Sequence, residues 1–121
     1  MIRGVNFATI PVRDQDRSLE FYTNKLGFRI ITDQPFQPGI RWIELGIPGA
    51  DTRVVLFTAP GQESRIGEFQ PMAFWSDDVE GTFEQLSKKG VEFTQKPKKE
   101  EWGTSAIFKD VDGNVFVLGS R

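Results

Sequence analysis

Two of the side chains that most often carry chemistry are missing from this chain, because its 121 residues include no histidine and no cysteine. Histidine is the usual general base near neutral pH and the commonest ligand of transition metals. Cysteine supplies disulfides and reactive thiolates. The composition therefore excludes thiolate chemistry and disulfide bonds, and it removes the side chain that metal sites use most often.

Three features remain as candidates for a reactive or ion-binding group. Glu44, close to Trp42, is a candidate general base, but a lone carboxylate is a weak signal, and strand alternation points it away from Arg41, toward the helix side or solvent. Tyr22 has a phenol, but its place in the last turn of an amphipathic helix predicts a core tyrosine. Residues 110–114 resemble the start of a calcium loop without its length or terminal Glu, so we interpret them as a turn. No catalytic residue is assigned.

The charge and hydropathy of the chain exclude two classes of partner. A net charge of -2 leaves no basic surface to neutralise phosphates, so we predict no binding to nucleic acid. The densest basic run, residues 96–99, is followed at once by two glutamates and is interpreted as a solvated loop. No apolar run approaches a membrane span, and the N-terminal residues lead into a strand without the apolar stretch of a signal peptide. We therefore expect a cytoplasmic protein without a membrane partner.

Two stretches of the chain, residues 13–30 and 76–93, repeat one pattern. Each places an aspartate before a helix-like segment and a glycine after it, and Asp14 is as far from Gly27 as Asp77 is from Gly90. A carboxylate at a helix N-cap accepts hydrogen bonds from unpaired backbone N–H groups, and glycine ends a helix in the left-handed conformation at least cost. The pattern therefore predicts a duplicated structural unit.

Each copy is predicted to fold as one strand, one helix and three further strands. The first module covers about residues 1–60 and the second about residues 68–121 of a single domain. The predicted strands lie at residues 5–12, 28–32, 40–45 and 53–58, and at residues 69–75, 91–95, 104–109 and 114–118. The fold class is therefore α+β, with two βαβββ modules whose curved mixed sheets form an incomplete barrel enclosing a cavity. Such a cavity is a natural container for a ligand.

Short motifs along the whole chain carry a family resemblance. They are Val12-Arg13-Asp14, Ser18-Leu19-Glu20-Phe21-Tyr22, Leu26-Gly27-Phe28, Asp77-Asp78-Val79, Gly90-Val91-Glu92-Phe93 and Asp110-Val111-Asp112-Gly113-Asn114. With these motifs the chain resembles the vicinal oxygen chelate superfamily, which includes glyoxalase I, bleomycin-resistance-type binding proteins and extradiol dioxygenases. The resemblance is specific for the fold and much less specific for function, because this fold hosts several chemistries.

The resemblance also implies where a metal would bind. In the metal enzymes of the superfamily, His, Glu or Gln side chains occupy four inward-facing strand positions, and counting from the motifs places these at Phe7, Leu56, Pro71 and Val117. A metal ion needs N, O or S ligands that converge from several strands, and none of these side chains has such an atom. The resemblance therefore implies the cavity without a metal or other cofactor, as in the members that sequester drugs without altering them.

If the four positions face inward, strand alternation identifies the rest of the cavity wall. The predicted ligand-binding residues are Phe7, Thr9, Arg41, Ile43, Leu56, Pro71, Trp75, Trp102 and Val117. Trp75 is the candidate stacking surface, with core packing as the alternative, and Trp102 could gate the mouth of the cavity. Arg41 could pair with an anionic group of the ligand, with a surface salt bridge as the alternative. A wall with so few polar groups suits a planar, partly aromatic ligand.

These inferences predict a metal-free small-molecule-binding protein that sequesters a hydrophobic or planar ligand, and no enzymatic activity. Two other functions stay open. One is a lyase or dioxygenase of the superfamily with a displaced metal site built from Asp and Glu. The other is a regulatory or assembly module whose groove is filled by side chains, in which case Phe7, Leu56 and Val117 would pack directly on one another. Short two-module chains of the superfamily usually pair, so the resemblance also implies a homodimer.

Overall fold

The computed structural model describes residues 1–121, and its elements follow the predicted order twice. The first half contains β1 (Phe7–Ile10), α1 (Gln15–Glu20), β2 (Arg29–Gln37), β3 (Ile40–Gly46) and β4 (Arg53–Leu56). The second half contains β5 (Phe69–Trp75), α2 (Val79–Lys88), β6 (Glu92–Glu100), β7 (Gly103–Lys109) and β8 (Val115–Gly119). A π-helical turn at Phe21–Lys25 continues α1, and a short 3-10 turn lies at Glu63–Arg65. The predicted α+β class with two βαβββ modules is confirmed.

The chain divides into unit 1, Met1–Ile66, and unit 2, Gly67–Arg121, and each contains one four-stranded mixed sheet. The strand order is β1-β4-β3-β2 in unit 1 and β5-β8-β7-β6 in unit 2. In both units the first and last strands are parallel neighbours, and the other pairs are antiparallel. The two units therefore share one topology, as a duplicated unit requires. No helix in the structure combines the length and apolar character that crossing a membrane requires.

The starts of both helices are capped by aspartates of the repeated motif. Oδ1 of Asp14 accepts hydrogen bonds from the backbone N–H groups of Asp16 and Arg17, at 3.0 and 3.2 Å. In the second copy the cap is Asp78, whose carboxylate accepts a bond of 2.9 Å from the backbone N–H three residues on. The predicted cap, Asp77, is one residue too early. Both aspartates precede the helix, and their spacing from Gly90 alone does not show which one is the cap.

Both helical segments end at the glycines of the motif. Gly27 and Gly90 have φ angles of +77° and +89°, the left-handed conformation that a residue without Cβ adopts at little cost. After each glycine the chain bonds back to the helix, from Phe28 N to the carbonyl of Tyr22 at 3.0 Å and from Val91 N to that of Leu86 at 3.0 Å. The same local chemistry therefore redirects the chain into the second strand of each unit.

Two strands run further than the sequence predicted. β2 extends to Gln37 and β6 extends to Glu100. The basic run 96–99 therefore lies in a strand and not in the predicted loop, although its three lysines are exposed to solvent as predicted. Pro35 and Pro97 were interpreted as loop signals, but β2 and β6 are edge strands, where a missing backbone N–H can face away from the neighbour. The pairing register of both strands shifts near these prolines.

Unit 1 buries an aliphatic layer on the face of its sheet that α1 covers. The register places Ile10 beside Leu56 and Leu45 beside Val54, so these side chains share one face, which we call the helix face. All of them are buried, as is Ile43. The side-chain amide of Gln15 in α1 donates to the carbonyl of Leu56 at 2.9 Å and to that of Arg41 at 2.6 Å, which ties the helix to this side of the sheet.

Unit 2 fills the corresponding layer with rings. Five phenylalanines contact one another with ring centroids 4.8 to 6.0 Å apart: Phe74, Phe83, Phe93, Phe108 and Phe116. One of them, Phe83, comes from α2, so the helix packs against the aromatic side of its sheet. Aromatic pairs at these distances add about 0.5–1.5 kcal/mol each beyond the area they bury.

The turn between β7 and β8 is held by a buried aspartate. Oδ1 of Asp110 accepts from the backbone N–H groups of Asp112 and Asn114 at 2.9 and 3.0 Å, and Oδ2 accepts from Nδ2 of Asn114 at 2.8 Å. The carboxylate therefore organises the local backbone. The prediction of a hairpin turn at residues 110–114 is confirmed.

Candidate functional site

Unit 1 has a second sheet face, opposite the helix face, and it carries a group of rings. The register places Phe7 beside Arg53 on this side, and Val55 beside Glu44. Trp42 lies two residues before Glu44 on β3 and therefore faces the same way. We call this side the aromatic face and define it by its four rings, Phe7, Phe36, Trp42 and Phe57.

Trp42 is the centre of the aromatic face. Its ring centroid lies 5.3 Å from that of Phe7, 5.6 Å from that of Phe36 and 5.6 Å from that of Phe57. Phe36 and Phe57 also contact each other edge to face, at 5.6 Å. These separations are typical of favourable aromatic pairs. Phe36 nevertheless remains 53% exposed, so the cluster presents a large apolar surface.

A hollow of about 160 Å³ lies beside Trp42 and Phe57 on the same face. Its lining is mostly apolar and consists of Thr9, Pro11, Trp42, Phe57, Thr58, Ala59, Gln62 and Arg65. Sites that enclose drug-sized ligands usually measure 300–1,000 Å³. This hollow is therefore too small to enclose a drug-sized molecule, but it is large enough for one edge or substituent of such a molecule.

Glu44 lies on the aromatic face with both carboxylate oxygens engaged. Oε1 accepts a hydrogen bond of 3.2 Å from Nε1 of Trp42, and Oε2 is 2.6 Å from Nη1 of Arg53. The hydrogen bond from Arg53 lowers the pKa of Glu44, burial opposes this shift, and the bond from Trp42 lowers the pKa further. A carboxylate held ionised in this way is a weak general base near neutral pH.

The orientation predicted for Glu44 is half right. It points away from Arg41, as alternation requires, but Arg41 is the residue on the helix side. The prediction of the helix side is therefore wrong; Glu44 lies on the opposite face, where 15% of its side chain is exposed to solvent.

Three predicted wall residues, Arg41, Ile43 and Leu56, lie on the helix face. Ile43 and Leu56 are fully buried in the aliphatic layer under α1. The prediction that these three share a face with Phe7 and Thr9 is wrong, because the frame of β3 and β4 was displaced by one residue, and such a displacement exchanges the two faces of a strand. Direct packing of Phe7 on Leu56, expected of a filled groove, is excluded by the same geometry.

Arg41 forms the salt bridges that were its alternative interpretation. Its Nη1 is 2.6 Å from Oδ1 of Asp16, while Nε and Nη2 lie 2.9 and 3.2 Å from the two oxygens of Asp33. The hydrogen bonds from Asp33 and then from Asp16 raise the pKa of Arg41 above its ordinary value. The guanidinium therefore links α1 to β2 across the edge of the helix face.

A second cleft of unit 1, about 470 Å³, lies around this salt-bridge network. It is lined by Val12, Arg13, Asp14, Gln15, Asp16, Gly39, Ile40, Arg41 and Thr58. Its charged groups include the cap of α1 and the Arg41 network, which are engaged in holding the fold. The lining of this cleft is more polar than that of the hollow beside Trp42, so it suits an apolar ligand less well, although it is the larger of the two.

In unit 2, Pro71, Trp75 and Val117 share the sheet face opposite the rings of the core. The register places Ala73 beside Val117, and Pro71 and Trp75 flank Ala73 at alternate positions of β5. Trp75 is 53% exposed, so its alternative interpretation as a core residue is wrong. The guanidinium of Arg121 lies over its ring, 4.8 Å from the centroid. Trp102 is 72% exposed in the turn before β7. Ligand binding by these residues stays a prediction.

The side chains at the family's metal positions do not fit an ion. Phe7, Leu56, Pro71 and Val117 have no side-chain N, O or S atom. If the metal position in β4 is moved by one residue to match the observed facing, it falls on Val55 or Phe57. Neither side chain has an atom that could bind a metal. No three Asp or Glu side chains elsewhere in the structure converge as metal ligands would.

Sequence reasoning missed Phe36, Trp42 and Phe57 as possible ligand contacts. A usable signal was present in β3, where Ile43 and Leu45 form an aliphatic pair that suits the layer under a helix. In β1 the predicted ligand face, with Phe7 and Thr9, lies opposite an aliphatic face. If the aliphatic residues of β3 are likewise assigned to the helix side, Trp42 lies on the ligand side. For Phe36 no local signal existed, because it lies beyond a proline in a segment interpreted as a loop.

Comparisons with known proteins agree on one family. A sequence model of the Glyoxalase/Bleomycin resistance protein/Dioxygenase superfamily matches residues 4–118. The chain is 37% identical over 118 residues to the uncharacterized protein YetH of Bacillus subtilis (strain 168), covering 98% of both chains.

Two crystal structures extend this likeness to the fold. A member of the same superfamily from Sphaerobacter thermophilus DSM 20745 has 33% identity and a TM-score of 0.89, over 99% of this chain and 98% of the other. TnmS3, an antibiotic binding protein from Streptomyces sp. CB03234, has 34% identity and a TM-score of 0.87, over 98% and 96% of the two chains.

Proposed function

The chain belongs to the Glyoxalase/Bleomycin resistance protein/Dioxygenase superfamily, and on that premise we propose that it binds a planar, largely apolar small molecule and does so without a metal. The ligand rests on the aromatic face of unit 1, with Trp42 at the centre of the contact. The protein sequesters this molecule and releases it unchanged.

The observation that carries this proposal is the aromatic face itself. Four rings contact one another around Trp42, yet Phe36 stays 53% exposed on a sheet whose other side already supplies the buried layer. Large apolar surfaces rimmed by polar groups commonly mark binding sites, since leaving rings in water costs free energy that a ligand recovers. Ring faces favour planar, aromatic partners in particular.

The neighbours and the donor chemistry support binding over catalysis. TnmS3, similar to this chain along its length, is an antibiotic binding protein. The positions at which the superfamily's metal enzymes carry ligands hold Phe7, Pro71 and Val117 here, along with apolar side chains throughout β4 from Val54 to Leu56. Catalysis of the metal-dependent kind would need donor atoms that these side chains lack.

The proposal is tested by ligand binding with recovery of the ligand. Purified protein is dialysed against a panel of planar aromatic antibiotics and against anilinonaphthalene sulfonate as a reference probe. We expect saturable binding of at least one compound, quenching of tryptophan fluorescence, and a recovered compound of unchanged mass. Elemental analysis of the same protein is expected to find no stoichiometric Ni, Zn, Fe or Mn. A stoichiometric ion, or a chemically altered compound, would overturn the proposal in favour of a metal-dependent enzyme.

Matched variants locate the site. Phe36→Ala removes an exposed ring of the aromatic face and should weaken binding about fivefold or more, since one aromatic contact is worth about 1 kcal/mol or above. Ile30→Ala removes an apolar side chain of similar exposure, 52%, from the opposite face of the same sheet, where Ile30 lies beside Leu45, and serves as the control. An equal loss in both variants would mean that the aromatic face is not the site. Trp75→Ala and Trp102→Ala decide in the same assay whether those predicted residues contribute.

We further propose the homodimer that the family resemblance implies. Light scattering on the purified protein tests it, and a monomer at all concentrations would overturn it. The binding assay above does not depend on this result.

A further inference from the structure

Arg53 brings a guanidinium to the edge of the aromatic face. It is the register partner of Phe7 across the parallel pair of β1 and β4, so both side chains project to the same side. Its side chain is 44% exposed, while that of its partner Glu44 is only 15% exposed. The positive group is therefore anchored at one end and accessible at the other, next to the rings.

Only one nitrogen of Arg53 is used within the protein. Nη1 donates to Oε2 of Glu44 at 2.6 Å, and the side chain makes no other hydrogen bond. A guanidinium has five N–H donors in a rigid planar fork. The Nε and Nη2 edge, which suits the two oxygens of a carboxylate, is left without an acceptor.

Arg41 shows in the same unit how a guanidinium binds two carboxylates at once. Its Nη1 contacts Asp16, while its Nε and Nη2 edge takes both oxygens of Asp33. In Arg53 the Nη1 contact is likewise made, to Glu44, but the Nε and Nη2 edge has no carboxylate. Satisfying Glu44 therefore does not use up the capacity of Arg53 for a second anion.

The same site does not favour the binding of a cationic ligand. Both oxygens of Glu44 already accept hydrogen bonds, from Trp42 and from Arg53, and little of the carboxylate is exposed. A ligand cation near the rings would also lie close to the guanidinium, where like charges repel.

Resting on the proposed function, we propose that the ligand of the aromatic face is a planar aromatic molecule carrying an anionic oxygen group, a carboxylate or phenolate. Its ring system packs on Trp42 and Phe36, and its anionic oxygens accept hydrogen bonds from Nε and Nη2 of Arg53. Arg53 is thus the residue that selects among planar ligands by charge.

The test compares three naphthalene probes of equal ring size: naphthoate, the neutral naphthamide, and the cationic naphthylmethylammonium. Equilibrium dialysis at low ionic strength and neutral pH gives the dissociation constant of each. We expect naphthoate to bind about tenfold more tightly than naphthamide, the size of one hydrogen-bonded charge contact, and naphthylmethylammonium to bind most weakly. Added salt should reduce the preference, because Arg53 is partly exposed.

Variants assign the preference to Arg53. Arg53→Gln should lower naphthoate affinity to that of naphthamide and leave naphthamide unchanged, while Arg53→Lys should keep a smaller preference through its point charge. Arg17→Gln removes an equal charge from the exposed side of α1, away from the aromatic face, and should retain the full preference.

Two results separate failure of this inference from failure of the proposed function. If naphthoate and naphthamide bind equally, or the preference survives in Arg53→Gln, charge selection by Arg53 is wrong while binding on the aromatic face stands. If neither the naphthalene probes nor the antibiotics bind at their solubility limits, the proposed function fails and this inference fails with it.

Discussion

The indole of Trp42 donates a hydrogen bond of 3.2 Å to the carboxylate of Glu44, two residues along the same strand. Residues i and i+2 of a strand share a face, and the register of β3 with β4 places this pair on the side of Val55 and Phe7. Trp42 and Glu44 lie on the aromatic face, and Arg41 and Ile43 lie on the helix face. The predictions below depend on that frame.

The frame is tested by Ile43→Ala. Ile43 is fully buried on the helix face, so its truncation should lower the free energy of unfolding by about 2–4 kcal/mol through lost burial and the cavity left behind. Because it lies on the far side of the sheet from Trp42, affinity for a planar probe should stay the same at temperatures where the variant is folded. Urea denaturation and dialysis measure the two effects. Weak destabilisation together with weakened binding would place Ile43 on the ligand side.

Glu44 should make part of the stability depend on acid pH. Its pKa is lowered in the folded protein, chiefly by the hydrogen bond from Arg53, while the unfolded chain has an ordinary pKa of about 4.3. The folded state therefore gains stability above the unfolded pKa, and this gain is lost as the pH falls through the folded pKa. Because Arg53 is partly exposed, we expect the loss to be at most about 1 kcal/mol.

Glu44→Gln is the matched variant for that titration. Unfolding free energies of both proteins, measured from neutral pH down to about pH 3, should converge as the pH falls. Parallel curves would show that Glu44 titrates alike in the folded and unfolded states.

Arg41→Gln should cost stability without changing binding. The substitution breaks the contacts to Asp16 and Asp33, and we expect a loss of about 1 kcal/mol, because all three side chains retain some exposure. The loss should shrink at high salt, which screens exposed ion pairs. Arg17→Gln, an exposed charge on α1, is the control for the change in net charge. A drop in naphthoate affinity in Arg41→Gln would instead restore Arg41 to the ligand site.

Asn114 should be among the costliest polar residues to remove. It is fully buried; its Oδ1 accepts from Gly67 N at 2.7 Å and from Gln70 Nε2 at 3.2 Å, and its Nδ2 donates to Asp110. Asn114→Ala removes these three hydrogen bonds from a fully buried position, so we expect a loss of about 2–4 kcal/mol in urea denaturation. Asn24→Ala, on an exposed part of the π-helical turn, should cost well under that and controls for the substitution itself.

The order of helices and strands could be predicted from local sequence signals. Aspartate caps, glycine stops and helical spacing depend on nearby residues, and each occurs twice, so the order of elements and the duplication were predictable from residues such as Asp14 and Gly27. The Asp110 turn was predictable for the same reason.

The site was less predictable because it depends on which way a strand faces. In β4, Val54, Val55 and Leu56 form a continuous apolar run, so alternation carries no information there. The side chains of β3 alternate between two faces, and each face receives one charged and one large apolar side chain. From the sequence, Arg41 and Ile43 were therefore as plausible a cavity wall as Trp42 and Glu44. The long edge strand that delivers Phe36 depends on pairing with β3, a contact that spacing along the chain does not encode.

The two halves place their rings differently on one shared topology. Unit 2 packs five phenylalanines between its sheet and α2, one of them from the helix itself, whereas unit 1 keeps aliphatic side chains in the strands beneath α1. The rings Phe7, Phe36, Trp42 and Phe57 of unit 1 lie on the other face of its sheet. The two units thus share one order of strands but differ in which face of the sheet carries most of the rings of their strands. Substitutions among the rings of unit 1 therefore change the surface of its aromatic face, while the layer on the other side of the sheet keeps its own contacts.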